Sequence, residues 1–354
     1  MAPWRLGALC VLFTAVLVTA CQRPEPVTRH EFLAFGTLIE VSIAGVPPDR
    51  ARAAAEAVEA GFERWHHDWH AWEPGPLTEL NAALAGGEWV GIPAPLRSLI
   101  PPAIELSRAS GGLFNPTIGR LLRLWGFQGD PPAGLPPAAD SIATLVAAHP
   151  SVDDLELDDD RIRSRNPAVQ LDFGAFAKGF GIDLAMQKLA ALGIRHAVVN
   201  AGGDLKAMGR HPDRAWRIGI RDPDGSGVTG IIEIRGLEAV FTSGDYERKF
   251  ERDGKRYSHI IDPRTGRPAR ATRSITVVHA AAATADAAAT ALFVAGDDWP
   301  ETAARMGVDT VLRIDAAGRI QMTPAMHERL QPTGMVATAV EIVPVPATAG
   351  GSAP

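Results

Sequence analysis

The chain has 354 residues, enough to bury one large core or two modest ones. Hydrophobic content of 46% and charged content of 21% are ordinary for a globular protein. A net charge of −6, with acidic and basic residues interleaved, argues against a nucleic-acid binder, because phosphate backbones select basic faces.

The first segment, MAPWRLGALCVLFTAVLVTAC, carries Arg5, then an apolar run from Leu6 to Ala20, then Cys21. The run is short and N-terminal, which reads as a signal peptide over residues 1–20 rather than a spanning helix. Val18-Thr19-Ala20-Cys21 has the apolar-small-small-cysteine order of a bacterial lipobox, so Cys21 is expected to be the lipidated first residue of the mature chain. A plain signal peptide with an incidental cysteine is the alternative. Cys10 lies in the removed segment, so no disulfide is possible in the mature chain. Residues 21–29 read as a polar tether with two prolines. The chain is expected to face the periplasm on a bacterial membrane; Gln22 and Arg23, with no aspartate after Cys21, weakly favour the outer membrane and leave inner versus outer open.

Beyond the tether, HEFLAFGTLIEVSIAGV alternates as a strand does, and DRARAAAEAVEAGFERWHHDWHAW has helical spacing. APLRSLIPPAIELSRASGG reads as a helix ended by Gly111-Gly112, and GFQGDPPAGLPPAAD as a surface loop. FAKGFGIDLAMQKLAALGI is a helix closed by Gly193, followed by a strand at RHAVVNAGGD. RAWRIGIRDP, GIIEIRGLEAVFTSG and RSITVVHA read as strands, TADAAATALFVAG as a helix, and VDTVLRIDAAGRIQMT as a hairpin. The low-complexity segment from 331 to 354 is expected to be a flexible tail. Without strict alternation of strands and helices, the fold class is α+β.

Familiar catalytic motifs are missing. GAFAKGFG approaches a phosphate loop, but Phe180 stands where the lysine belongs, and there is no HExxH or CxxC. His66 and His70 are four apart on a helix, as paired metal ligands would be; beside Trp65 and Trp69 they read rather as an amphipathic surface. In LDFGAFAKGFGIDLA, Lys178 falls near a helix start, where free N–H groups and the dipole favour anions. A solvated lysine is the plain alternative. Gly202-Gly203, after a strand, either lets a ligand approach the backbone or simply makes a tight turn, the turn being the better reading in isolation. Asp286 and Thr290 are four apart and share one helical face, a donor pair that suits a hard cation. A helix-start carboxylate and a threonine bonded back to a carbonyl would look the same. RYSHIIDPRTGRPA packs Ser258, His259 and Asp262 beside a sharp turn. It is either a ligand-facing constellation or a hairpin with a polar edge.

Order and spacing decide more than any single piece. AFGTLIEV, DWHAWEPGPLTELN, GGLFNPTIGRLLRLWGF, LDFGAFAKGFGID, VVNAGGDLKAMG, FTSGDYERKF, DGKRYSHIIDPRTGRP and TADAAATALFVAG occur in this order. Together they closely resemble the FAD:protein FMN transferases of the ApbE type, over roughly residues 30 to 330. The resemblance implies an α+β, two-lobed, T-fold-like domain over 30–330 with FAD in the inter-lobe cleft. It implies Mg²⁺-dependent transfer of FMN from FAD to a threonine or serine of an acceptor protein, with release of AMP. The usual acceptors in that family are redox-complex subunits, such as those of the sodium-pumping quinone reductase and the Rnf complex. Many members are periplasmic membrane lipoproteins.

Carried over residue by residue, the resemblance puts metal contacts at Ala175, Asp286 and Thr290, with Ala289 contributing its backbone. It puts FAD contacts at Phe35, Trp72, Leu113, Phe114, Asn115, Asp172, Lys178 and Ile260. Ser243, Asp245 and His259 would sit near the diphosphate, with His259 as the catalytic base or a phosphate-orienting group held by the Asp262-Pro263 turn. Phe35 replaces a methionine common in the family, and Asn115 replaces an aspartate. A Mg²⁺-dependent FAD pyrophosphatase and a non-catalytic FAD-binding lipoprotein are the alternatives.

Overall fold

Phe35 and Gly36 take φ of 52° and 70°, the left-handed pair that a two-residue hairpin loop needs. The segment read as one strand is therefore two: β1 (Thr28–Ala34) turns there and returns as β2 (Thr37–Ala44). The structure is a computed structural model describing residues 27–128, 132, 134–223, 225, 227–333 and 340–347. The signal segment and Cys21 lie outside the described residues.

Seven further strands complete one nine-stranded sheet: β3 (His196–Ala201), β4 (Asp204–Met208), β5 (Leu237–Gly244), β6 (Thr272–His279), β7 (Thr310–Asp315), β8 (Ile320–Met322) and β9 (Val340–Ile342). Their order across the sheet is their order in the chain. Every neighbouring pair is antiparallel except β8 with β9. The expectation of a flexible tail is corrected for the described residues after 330: Val340–Ile342 pairs with β8, and Gln331–Pro332 pairs with the strand Val228–Glu233. GIIEIRGLEAVFTSG is likewise two strands, divided at Gly236.

Side chains alternate across the sheet, so each strand feeds two cores. On one face Ala239, Phe241, Ile275, Val277 and Val311 pack under three helices, α1 (Pro48–Asp68), α2 (Ala177–Ala191) and α3 (Ala282–Ala295). On the other, Leu205, Val240, Val278, Leu312 and Ile314 meet Trp216, Ile220 and Ile232. A third cluster around Trp125, Phe127, Ile142 and Phe250 lies beneath the ribbon formed by Lys249–Arg252 and Lys255–Ser258. This is the mixed α+β architecture expected.

The contact between α2 and α3 sets the site. α3 is built largely of alanine and almost wholly buried, and α2 presents Gly179 to it. A Cβ at Gly179 would overlap the Ala282 carbonyl and stand 2.8 Å from Asp286 Cβ, so only glycine permits the approach.

Candidate functional site

Asp286 sits one turn into α3, 5% exposed, with Oδ2 accepting the Gly179 backbone N–H at 2.8 Å. Thr290 follows one turn later, and its hydroxyl lies 3.4 Å from the Ser243 hydroxyl of β5. Carboxylate and hydroxyls thus converge where α3 crosses the sheet. Burial holds the Asp286 carboxyl well above the ordinary range, against the pull of the Lys178 ammonium, and Asp204 adds to the rise. A desolvated carboxylate beside a second carboxylate is a charge pattern that a bound cation relieves. The oxygen donors are hard, as Mg²⁺ requires. Among the described residues no three His, Cys, Asp or Glu side chains gather at ligand spacing, so a cation here would rely on hydroxyl and carbonyl oxygens and water besides Asp286. Ala289 is buried beside them and Ala175 is half-buried just before α2. These residues fit the expected metal.

Lys178, near the start of α2, is half-buried and paired rather than free in solvent. Its ammonium is ion-paired with Asp204 of β4, and Asp204 Oδ1 also accepts the Thr242 N–H at 2.9 Å. Asp204, Asp286 and Glu247 all hold the Lys178 pKa high against its burial. In the sequence Asp204 is marked only by its place directly after the Gly202-Gly203 turn. The signal available was its place in the NAGGD block; its pairing with Lys178 is a tertiary fact.

His259 is half-buried, with Nδ1 lying 3.3 Å from the Arg248 carbonyl and its own backbone N–H donating to the same oxygen at 3.0 Å. A carbonyl only accepts, so Nδ1 carries the proton and Nε2 keeps its lone pair. Burial, then the charges of Lys178 and Arg248, pull its pKa down to about 4, so the ring is neutral near pH 7. The expectation that the Asp262-Pro263 turn holds this histidine needs amendment: the direct hold is Arg248. The turn is itself pinned, since Arg264 binds Asp262 and the Val294 carbonyl at the end of α3, and Trp125 Nε1 donates to the Gly266 carbonyl at 2.7 Å.

The other expected FAD residues divide. Trp72 donates its indole N–H to Asp172 Oδ2 at 3.1 Å, and the Arg248 guanidinium lies 5.9 Å from its ring centroid. Gly174 N–H donates to Asp172 Oδ1 at 2.9 Å, while burial pushes the Asp172 carboxyl up. Phe35 stacks on Trp69 at 6.0 Å, and its N–H donates to His66 Nδ1 at 3.2 Å. Phe114 is 1% exposed and packs against Phe176, and its backbone is engaged by Ser110, so its side chain offers no open face to a ligand. Leu113 and Ile260 are also buried. Asn115 spends its amide on the Pro150 carbonyl and on Thr117, a local turn. Asp245 is ion-paired with Arg256 of the ribbon.

His66 and His70 accept backbone N–H groups of Phe35, Trp72 and Glu73, and so act as loop anchors. The expected helical pair is corrected: α1 ends at Asp68, so His70 lies beyond the helix, while Trp69 is buried and Trp65 stacks on it at 5.6 Å.

Fold and site define a mixed α+β protein in which a buried carboxylate and, one turn on, a half-buried hydroxyl lie near a paired lysine whose charge is felt by a neutral histidine. The sequence pattern of the ApbE family matches residues 35–312, and the chain belongs to that family. It is 48% identical over 309 residues to an FAD:protein FMN transferase of Rhodobacter capsulatus, an alignment covering 87% of this chain and 59% of that relative. A Treponema pallidum protein of the same name is 34% identical, with 83% and 85% covered. Among solved structures, an ApbE protein from Thermotoga maritima superposes with a TM-score of 0.78 at 32% identity, covering 86% of this chain and 99% of that one. The apo flavinyl transferase ApbE of Pseudomonas stutzeri gives 0.76 at 32%, covering 89% and 99%.

Proposed function

We propose that this protein moves the FMN half of FAD onto a threonine or serine hydroxyl of an acceptor protein and releases AMP. The observation that supports it most is the placement of Lys178, whose charge acts on both Asp286 and His259 and so ties the cation donors to a neutral base. Names borne by relatives, FAD:protein FMN transferase, agree.

In this reading His259 Nε2 accepts the proton of the acceptor hydroxyl. The hydroxyl oxygen attacks the FMN phosphorus, the P–O bond to the bridging oxygen breaks, and AMP leaves with that oxygen. Lys178 offsets negative charge on the diphosphate. The diphosphate's own charge raises the basicity of His259, opposing the effect of Lys178 and Arg248. Trp72 and Phe35 offer ring faces to the flavin or adenine, in a cleft between lobes. Asp286 and Thr290, with the carbonyls of Ala175 and Ala289, would hold Mg²⁺. Bound there, the ion supplies charge neutralisation at the phosphates and the leaving oxygen.

Acceptors of the kind expected are redox-complex subunits at a bacterial membrane, which the chain would reach through a lipidated Cys21 facing the periplasm. The test is mass measurement of a purified acceptor after incubation with protein, FAD and Mg²⁺. Addition of one FMN to a threonine or serine supports transfer. FMN and AMP released with the acceptor unmodified would mean hydrolysis of FAD instead.

A further inference from the structure

We propose that Asp183, which no part of the reaction above uses, is a positioning residue for the cation site: it fixes α3, and with it Asp286 and Thr290, by capping that helix from α2. The inference rests on the reading of Asp286 and Thr290 as cation donors.

α3 opens without a capping side chain of its own, since Ala281 stands at its N-cap. Its first N–H groups would be buried orphans. Asp183 supplies what is missing. Its Oδ1 accepts the Ala282 N–H at 3.1 Å and its Oδ2 accepts the Ala283 N–H at 3.0 Å. A carboxylate there also meets the positive end of the helix.

The spacing makes this a ruler. Asp183 lies one turn after Gly179 on α2, and Asp286 lies one turn after Ala282 on α3. The helices meet at two rungs, Asp183 to Ala282 and Ala283, and Gly179 to Asp286. A slip of one residue along α3 is about 1.5 Å, enough to break both. Without the Asp183 rung, the hydrogen-bonded contact between α2 and α3 at this crossing is reduced to the Gly179 N–H on Asp286.

Asp183 is in turn held by β4. Lys206 Nζ lies 2.6 Å from its Oδ1 and is largely buried. Two residues earlier on the same face of β4, Asp204 pairs with Lys178. α2 is thus fastened to β4 by two ion pairs of opposite sense, and one acid of that set reaches on to α3.

The test uses Mn²⁺ as a stand-in for Mg²⁺ and measures its dissociation constant for the full-length protein by electron paramagnetic resonance, with folding checked by circular dichroism. Asp183→Ala should bind Mn²⁺ about 10–100-fold more weakly, the usual effect of losing a group that orients a metal ligand. Lys206→Met keeps both caps but leaves the Asp183 carboxylate without its cation, so it should weaken Mn²⁺ binding by less than Asp183→Ala does. Asp183→Asn retains one strong acceptor and should fall between. If Asp183→Ala does not fold, Asp183→Asn against Lys206→Met decides the matter: weaker binding by the asparagine variant supports the cap, and equal binding overturns it. Wild-type affinity in Asp183→Ala, or an equal loss in Lys206→Met, also overturns it. A wild type without Mn²⁺ affinity, or an Asp286→Ala variant that binds normally, would remove the cation site itself and this inference with it.

Discussion

Gly179 donates its backbone N–H to Asp286 Oδ2 at 2.8 Å, across the closest approach of two helices whose sequences start 105 residues apart. One glycine therefore serves packing and chemistry together. Gly179→Ala would drive a Cβ into the Ala282 carbonyl. Because the obstacle is backbone, the helices must separate, and stability should drop by about 2–3 kcal/mol, the upper part of the overpacking range. A urea titration reads this as a lower midpoint with an unchanged slope. An unchanged midpoint would show that α2 and α3 have slack.

Removal of the Asp286 carboxylate takes the charged donor from the proposed cation site. Mg²⁺-dependent FMN transfer by Asp286→Ala should fall by about 10²-fold or more, the scale of losing one strong electrostatic contact in a transition state. FAD affinity should change little, because Trp72 and Phe35 are untouched. Transfer rate and FAD affinity measured side by side check both halves; normal Mg²⁺-dependent turnover would refute the assignment.

His259→Ala should lower single-turnover transfer by about 10²–10⁴, the usual range for a general base, with a modest change in FAD affinity. Near wild-type transfer would leave His259 as a hairpin-edge residue bound to Arg248.

The lowered pKa of His259 has a stability consequence. The unfolded side chain titrates near ~6.5 and the folded one at about 4. Between these values the unfolded chain binds more protons, so the stabilisation is complete above ~6.5 and is lost as pH falls toward 4. Partial exposure of the ring reduces its size. Wild type should lose more stability between pH 7 and pH 5 than His259→Gln does, read from urea midpoints at the two pH values. Parallel losses would mean the ring titrates normally.

Changing Cys21→Ser should release the protein from the membrane fraction, or leave it unprocessed, if Cys21 carries the acyl chains. An acylated, membrane-held Cys21→Ser protein would place the anchor elsewhere.

The sequence by itself determined the α+β class, most elements of the sheet, and the placement of Asp286 and Thr290 one turn apart on a helix, because helical and strand periods are local properties. The ordered blocks determined the family. It did not separate β1 from β2, since a phenylalanine in the left-handed region at position 35 carries no turn signature. Nor did it show pairing in the segment after 330, where composition spoke of a loose tail and β8 supplied an open edge. Lys178 looked like a solvated or anion-facing charge, and Asn115 like a nucleotide contact. The structure gives the first to Asp204 and the second to Thr117 and Pro150. Partners of this kind lie tens of residues away, or depend on how a loop closes. The same holds for Asp183 and Arg248, which hold α3 and His259. Nothing in a one-dimensional pattern ranks one buried aspartate above another, or singles out the one carbonyl that fixes an imidazole. Only the crossing of α2, α3 and the sheet assigns those roles, because only there are the distances short and the water excluded.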